Sequence, residues 1–67
     1  MDVRKRLGLN VKRLREESGL SQEALAFEAG LHRTYVSGVK RGVRNPTVTV
    51  VEKLAKALGA ATGDLLA

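Results

Sequence analysis

Hydrophobic positions recur along the chain at the three- and four-residue spacing of an α-helix. The first run, with basic residues around it, predicts an amphipathic helix over about residues 3–17, and Gly19 ends it. The apolar positions of this run are Val3, Leu7, Val11 and Leu14. Only residues 47–50 alternate as a strand would, and four residues are too few to outweigh the helical pattern that follows them.

Two short helical segments come next, and Gly30 separates them. Ser21 is a favourable N-cap for the earlier segment, which is predicted to run to about residue 29. The later segment is predicted over about residues 33–40. The inward positions of the two segments are Leu25, Ala26, Ala29, Val36 and Val39, which leaves Phe27 facing solvent.

A loop at residues 41–46 precedes the last two helices, because Gly42 permits a positive φ and Pro46 disfavours helix before it. Thr47 and Thr62 are the predicted caps of these helices. Their predicted inward positions are Val48, Val51, Leu54, Ala55, Leu58, Leu65 and Leu66. The pattern therefore predicts an all-α fold, a compact five-helix bundle with an aliphatic core, in one domain over residues 1–67.

The window 22–41 has the residue types that a helix-turn-helix requires. Two helices that cross steeply need a small side chain at their closest approach, which Ala26 supplies. Gly30 permits the turn and Leu31 fills its corner, so the outer face of the segment at about 33–40 is left free to enter a major groove. An ordinary helical hairpin with a glycine turn remains the alternative.

Charge strengthens the first interpretation. The chain has 12 lysine and arginine residues against seven acids, for a net charge of +5. Residues 31–47 hold four of these cations and no acid. A basic segment of this kind favours a nucleic-acid partner, whereas an ordinary solvated surface is the alternative on charge alone.

Other functional classes find little support in the sequence. The chain has no cysteine, one histidine and no phosphate-binding glycine loop, so we expect no enzyme activity, metal site, cofactor or small-molecule ligand. No apolar run approaches the length of a membrane span, and the first ten residues lack the apolar stretch of a signal peptide. A cytoplasmic protein is the expectation.

Four stretches carry a family resemblance that covers nearly the whole chain: LREESGLSQEALA, AGLHRTYVS, RGVRNPT and LAKALG. In these the sequence resembles the Cro/CI-type (XRE-like) helix-turn-helix repressors, whose fold is of the lambda-repressor type. Within that family, HRTYVSG followed by RNP is most similar to the controller proteins of restriction–modification systems.

Base-reading residues are expected at the start and on the outer face of the segment 33–40. Arg33 is the strongest candidate, because its guanidinium can pair with guanine O6 and N7. The resemblance implies that Thr34 and Tyr35 read bases with it, although Tyr35 packed half-buried on the first helix is an alternative. Ser37 and Gly38 complete the set on the outer face, where Gly38 either permits a close approach to the groove or is simply tolerated.

Phosphate contacts are expected beside the base-reading face. The resemblance implies that Gln22 bonds a phosphate at the start of its helix, where the dipole favours an anion. Arg41, Arg44, Asn45 and Thr47 fit the same role beyond the segment 33–40. For the two arginines, a solvated loop charge is the alternative.

Lys40 departs from the family pattern, in which an acid commonly stands at this position and pairs with the residue matching Arg15. Two cations in proximity are unfavourable, so we expect Lys40 to turn outward or to pair with Glu16 or Glu17.

The resemblance implies a homodimer on a pseudo-palindromic duplex operator. Leu65 and Leu66 are the candidates for the dimer interface, and we expect one of them to close the core instead. The predicted function is sequence-specific DNA binding by a transcriptional regulator that inserts the segment 33–40 into the major groove. The alternative is an antitoxin-type module that binds a toxin partner and autoregulates its operon.

Overall fold

Within residues 2–42 and 46–67, which the computed structural model describes, the chain forms five α-helices and no strand. They are α1 (Val3–Glu17), α2 (Gln22–Ala29), α3 (Arg33–Lys40), α4 (Val48–Leu58) and α5 (Thr62–Leu66). The predicted all-α bundle is confirmed. Thr62 is the first residue of α5 and Ala61 is its N-cap, so the assignment of Thr62 as the cap was wrong. Asp64 makes the local bond instead, since its Oδ2 accepts from the Ala61 N–H at 3.1 Å.

Side-chain caps start three of the helices. Asp2 Oδ1 accepts from the Arg4 N–H at 2.7 Å, Ser21 Oγ from the Ala24 N–H at 3.0 Å, and Thr47 Oγ1 from the Val50 N–H at 3.3 Å. Each bond satisfies one of the amides that the first turn of a helix leaves without an internal partner. The helix starts are therefore encoded locally, which is why the sequence predicts them closely.

One aliphatic core unites the helices, and every helix contributes to it. Its members are Leu7, Val11, Leu25, Ala26, Ala29, Val36, Val39, Val51, Leu54, Ala55, Leu58 and Leu65. Val3 and Val48 were expected to face inward but are 52% and 71% exposed. Each is the first residue of its helix, so its side chain lies beyond the end of the packed layer although it shares the apolar face.

The tightest approach between helices lies where α1 meets the C-terminal end of α3. A Cβ at Gly8 of α1 would come within 2.5 Å of the backbone oxygens of both Val39 and Lys40. Only glycine, which has no Cβ, fits this contact without a shift of the backbone. The contact holds the end of α3 against α1, while the opposite end of α3 begins at Arg33 on the surface.

The short last helix is held to α1 by a side chain. Asn10 Nδ2 donates to the Leu65 carbonyl at 2.9 Å, and the Leu65 side chain is fully buried below it. This bond satisfies a carbonyl in the last turn of α5 that has no partner within the helix. Consequently α1 contacts both α3 and α5 and sets their relative positions.

Gly8→Ala is expected to destabilise the fold by about 1–3 kcal/mol, because the added methyl group meets backbone oxygens that cannot rotate away. Urea denaturation measures the change. Gly63→Ala is the matched control: its Cβ would meet nothing within 4 Å, so its stability should be equal or slightly higher. Equal midpoints for Gly8→Ala and the parent chain would contradict the tight α1–α3 contact.

Asp2 should give the stability a specific acid dependence. Its hydrogen bond and ion pair with Arg4, at 2.9 Å between Nη2 and Oδ2, lower the pKa of Asp2 from 3.8 to about 2. A carboxyl whose pKa is depressed by folding stabilises the fold above its unfolded pKa and loses that contribution as the pH falls through the folded value. Asp2→Asn should therefore lower the melting temperature at pH 5 to 7, and the difference from the parent chain should shrink between pH 4 and pH 2. A difference that stays constant over this range would exclude the proposed linkage.

Candidate nucleic-acid interface

The turn between α2 and α3 has the local structure that the sequence predicts. Gly30 lies in the left-handed region at φ 69°, and the Leu31 N–H donates to the Ala26 carbonyl at 2.8 Å. Ala26 is buried where α2 packs against α3, and Leu31 is half-buried at the corner. Val36 and Val39 fix α3 to the core with exposures of 1% and 0%. The remaining side of α3 is left at the surface.

Two of the five predicted base-reading residues lie fully on that surface. Arg33 and Thr34, in the first turn of α3, are exposed, whereas Tyr35 and Ser37 are half-buried. Gly38, the remaining member of the predicted set, is buried. The exposed side chains of this set are therefore those of the first turn of α3.

Tyr35 occupies an intermediate position. Its ring is half-buried and packs against the aliphatic core, in agreement with the packing alternative. Tyr35 follows Arg33 and Thr34 in the first turn of α3 and remains partly accessible. A half-buried tyrosine can pack against the core and still present a polar group at the surface.

Three of the predicted phosphate-binding residues lie within the described residues, each at the end of a helix. Gln22 is the first residue of α2 and is half-buried, and Arg41 is the exposed C-cap of α3. Thr47 is exposed at the N-cap of α4, where its oxygen accepts from the Val50 N–H and its hydroxyl proton is left to donate. Arg44 and Asn45 lie outside the described residues.

An ion pair joins the first turn of α2 to the first turn of α3. Arg33 Nη1 donates to Glu23 Oε1 at 2.5 Å, and the two side chains are 65% and 70% exposed. The residues are ten positions apart, on different helices, so no helical periodicity relates them. The signal available in the sequence was only that Glu23 stands in the first turn of a helix, where an acid suits the dipole without needing any cation.

Lys40, the last residue of α3, is half-buried. In the described part of the chain it forms no ion pair, and Glu17 binds Arg13 at 3.2 Å instead. Arg15 donates from Nη1 to the Leu20 carbonyl at 2.8 Å, in the turn that ends α1. Of the two alternatives for Lys40, pairing with Glu16 or Glu17 is therefore not observed, which leaves the outward orientation as the prediction. Arg15 has a backbone partner in place of the family's acid.

The two C-terminal leucines differ in burial, and the expectation that one of them closes the core is met. Leu65 is 0% exposed and closes the core, so it offers no surface to a second copy of the chain. Leu66 is 41% exposed next to it. Phe27 is 85% exposed, as predicted, and borders an open cleft between α2 and α4 together with Lys53 and Lys56.

Ranges 2–42 and 46–67 contain neither a metal-binding cluster nor a membrane-spanning helix. No group of three or more histidine, cysteine or acidic residues is arranged there to hold a metal ion. None of the helices in these ranges combines the length and the apolar character that crossing a bilayer requires.

Comparison with known proteins agrees with the geometry. Residues 11–65 match the family described as helix-turn-helix. The control protein C.BamHI of Bacillus amyloliquefaciens is 47% identical over 66 residues, which cover 97% of this chain and 82% of that protein.

Solved structures give the same result. The restriction–modification controller protein C.AhdI from Aeromonas hydrophila has a TM-score of 0.90 at 45% identity, covering 92% of this chain and 94% of that one. The controller protein C.Esp1396I, solved as a tetramer with its natural 35 base-pair operator, has a TM-score of 0.88 at 32% identity, covering 97% of this chain and 86% of that one. With its turn at Gly30, the five helices of its described residues and these matches, the chain belongs to the helix-turn-helix family.

Proposed function

We propose that this chain is a sequence-specific DNA-binding transcriptional regulator that inserts the N-terminal end of α3 into the major groove. The observation that carries the proposal is the exposure of Arg33 and Thr34 on a helix whose opposite face is fixed in the core. A rigid helix of this kind presents its side chains to base edges without first having to order itself. C.Esp1396I, which shares the fold, is a controller protein that was solved on its operator.

Base readout is assigned to the accessible side chains of the first turn. The Arg33 guanidinium addresses a guanine, Thr34 offers a hydroxyl and a methyl group, and the accessible part of Tyr35 lies beside them. Ser37, one turn further along α3 and half-buried, is placed at the margin of the base-reading surface.

Phosphate contacts are assigned to side chains and helix ends around α3. Gln22 opens α2, where backbone amides and the helix dipole favour an anion. Arg41 at the C-cap of α3 and Thr47 at the N-cap of α4 are proposed to bind further phosphates, together with Arg44 and Asn45. Such contacts give affinity and salt dependence, while the bases determine the sequence that is chosen.

The proposed assembly is a homodimer on a pseudo-palindromic operator. Leu66 is the proposed interface residue, because it is a large exposed hydrophobic side chain outside the α2–α3 surface. A dimer doubles the number of base contacts that one small domain of 67 residues can make.

We propose that the chain acts by binding and not by catalysis, in the cytoplasm. The relatives described above are controller proteins, and none of them favours the antitoxin alternative.

Selection from random duplex DNA with the purified protein tests the function. We expect an inverted repeat, and binding without any enriched motif would contradict the proposal.

Arg33→Ala should reduce discrimination at one base pair of each half-site by about 1–3 kcal/mol. Arg41→Ala should instead weaken binding to all duplexes and reduce the slope of log affinity against log salt by about one.

Lys53→Ala is the matched control for these variants. It removes one exposed positive charge from α4, in the cleft beside Phe27 and not on α3. It should keep the selected motif and its base preferences. Equal loss of base preference in Lys53→Ala and Arg33→Ala would show that net charge, and not the position of Arg33, determines the selected sequence.

A further inference from the structure

The pair between Glu23 and Arg33 uses only part of the guanidinium. The nitrogen that donates to Glu23 is Nη1. Among the described residues, Nε and Nη2 of Arg33 have no hydrogen-bond partner. An arginine has five N–H groups in a planar fork. The edge formed by Nε and Nη2 is therefore left for a partner outside the chain, and such an edge is sufficient for two parallel hydrogen bonds to one planar acceptor pair.

The carboxylate also limits the directions in which Arg33 can point. A free arginine on a helix surface has many rotamers, and ordering it on binding costs conformational entropy. Glu23 lies in the first turn of α2, next to the cap Ser21, and Arg33 lies in the first turn of α3. The bond thus connects two helix starts whose relative position is set by the turn at Gly30 and by the buried residues on both sides of it, so the guanidinium is held at a defined place before any ligand arrives.

The charge of Glu23 acts on binding in a second way. A carboxylate at this place repels phosphates, and it offsets the charge through which Arg33 would attract any duplex irrespective of sequence. The paired guanidinium keeps its hydrogen-bond donors but loses much of its long-range attraction. The combination favours contacts that depend on hydrogen-bond geometry over contacts that depend on charge alone.

We propose that Glu23 is a positioning residue that determines specificity: it holds Arg33 through Nη1 so that the Nε–Nη2 edge is presented to a guanine. This inference rests on the proposed function, since it needs Arg33 to read a base. It adds that an acidic residue on α2, outside the base-reading helix, sets how strictly that base is read.

The test measures the affinities of variants for the motif selected by the parent chain and for a duplex of scrambled sequence. Glu23→Gln keeps the size of the side chain and removes its charge. We expect the ratio of specific to scrambled affinity to fall by roughly fivefold to tenfold, while affinity for the scrambled duplex stays equal or rises. A variant that merely damaged the fold would weaken both duplexes together.

Glu28→Gln is the matched control. It removes one exposed acid from the same helix, near the cleft beside Phe27, without touching Arg33. It should raise affinity for both duplexes by the same factor and leave their ratio unchanged. Thermal melting of both variants verifies that each is folded, which we expect because an exposed ion pair adds little to stability.

A double-mutant cycle isolates the coupling. In an Arg33→Ala background, Glu23→Gln should leave the ratio of specific to scrambled affinity unchanged, because the guanidinium that Glu23 positions is gone. An unchanged ratio for Glu23→Gln in the parent chain, or the same fall with and without Arg33, would overturn the inference while leaving the DNA-binding function intact. If the parent chain itself selected no motif, the proposed function and this inference would both fail.

Discussion

The arrangement of this protein depends on one backbone contact, the approach of α1 to the C-terminal end of α3 at Gly8. Because two carbonyl oxygens lie where a Cβ would stand, the two helices meet at a distance that any larger residue would increase. Because Val36 and Val39 are also buried in the core, α3 is held along its length and at its end. Its start at Arg33 is consequently directed to the surface by contacts that involve none of the proposed DNA-binding side chains.

Local signals predicted the helices well. The caps Ser21 and Thr47 and the glycine at position 30 act through bonds within one or two turns, so their effects can be deduced from neighbouring residues. Periodicity also identified most of the core. It was wrong for Val3 and Val48, because the period defines a face of a helix but not how far along the helix the neighbouring layer extends.

The candidate site was predicted less completely, because a sequence pattern does not show which residues of different helices meet. Arg33 and Thr34 were identified from their chemistry and their place in the motif, and both are exposed. Gly38 was predicted with them and is buried. The contacts at Gly8 and between Glu23 and Arg33 join residues on different helices, so only the packed structure reveals them. An acid-free basic segment in the sequence is therefore not an acid-free surface in the fold.

The bond from Asn10 to the Leu65 carbonyl has a consequence for spacing. It fixes α5 to α1, and α1 in turn holds α3, so Leu66 and the start of α3 belong to one rigid unit. Two copies that met through Leu66 would hold their two α3 helices at one separation and one relative rotation. Inserting a single base pair between half-sites turns one of them by about 35° around the duplex axis. A dimer joined in this way would have no hinge among these helices with which to follow that rotation, so it would bind only duplexes whose half-sites have the matching separation.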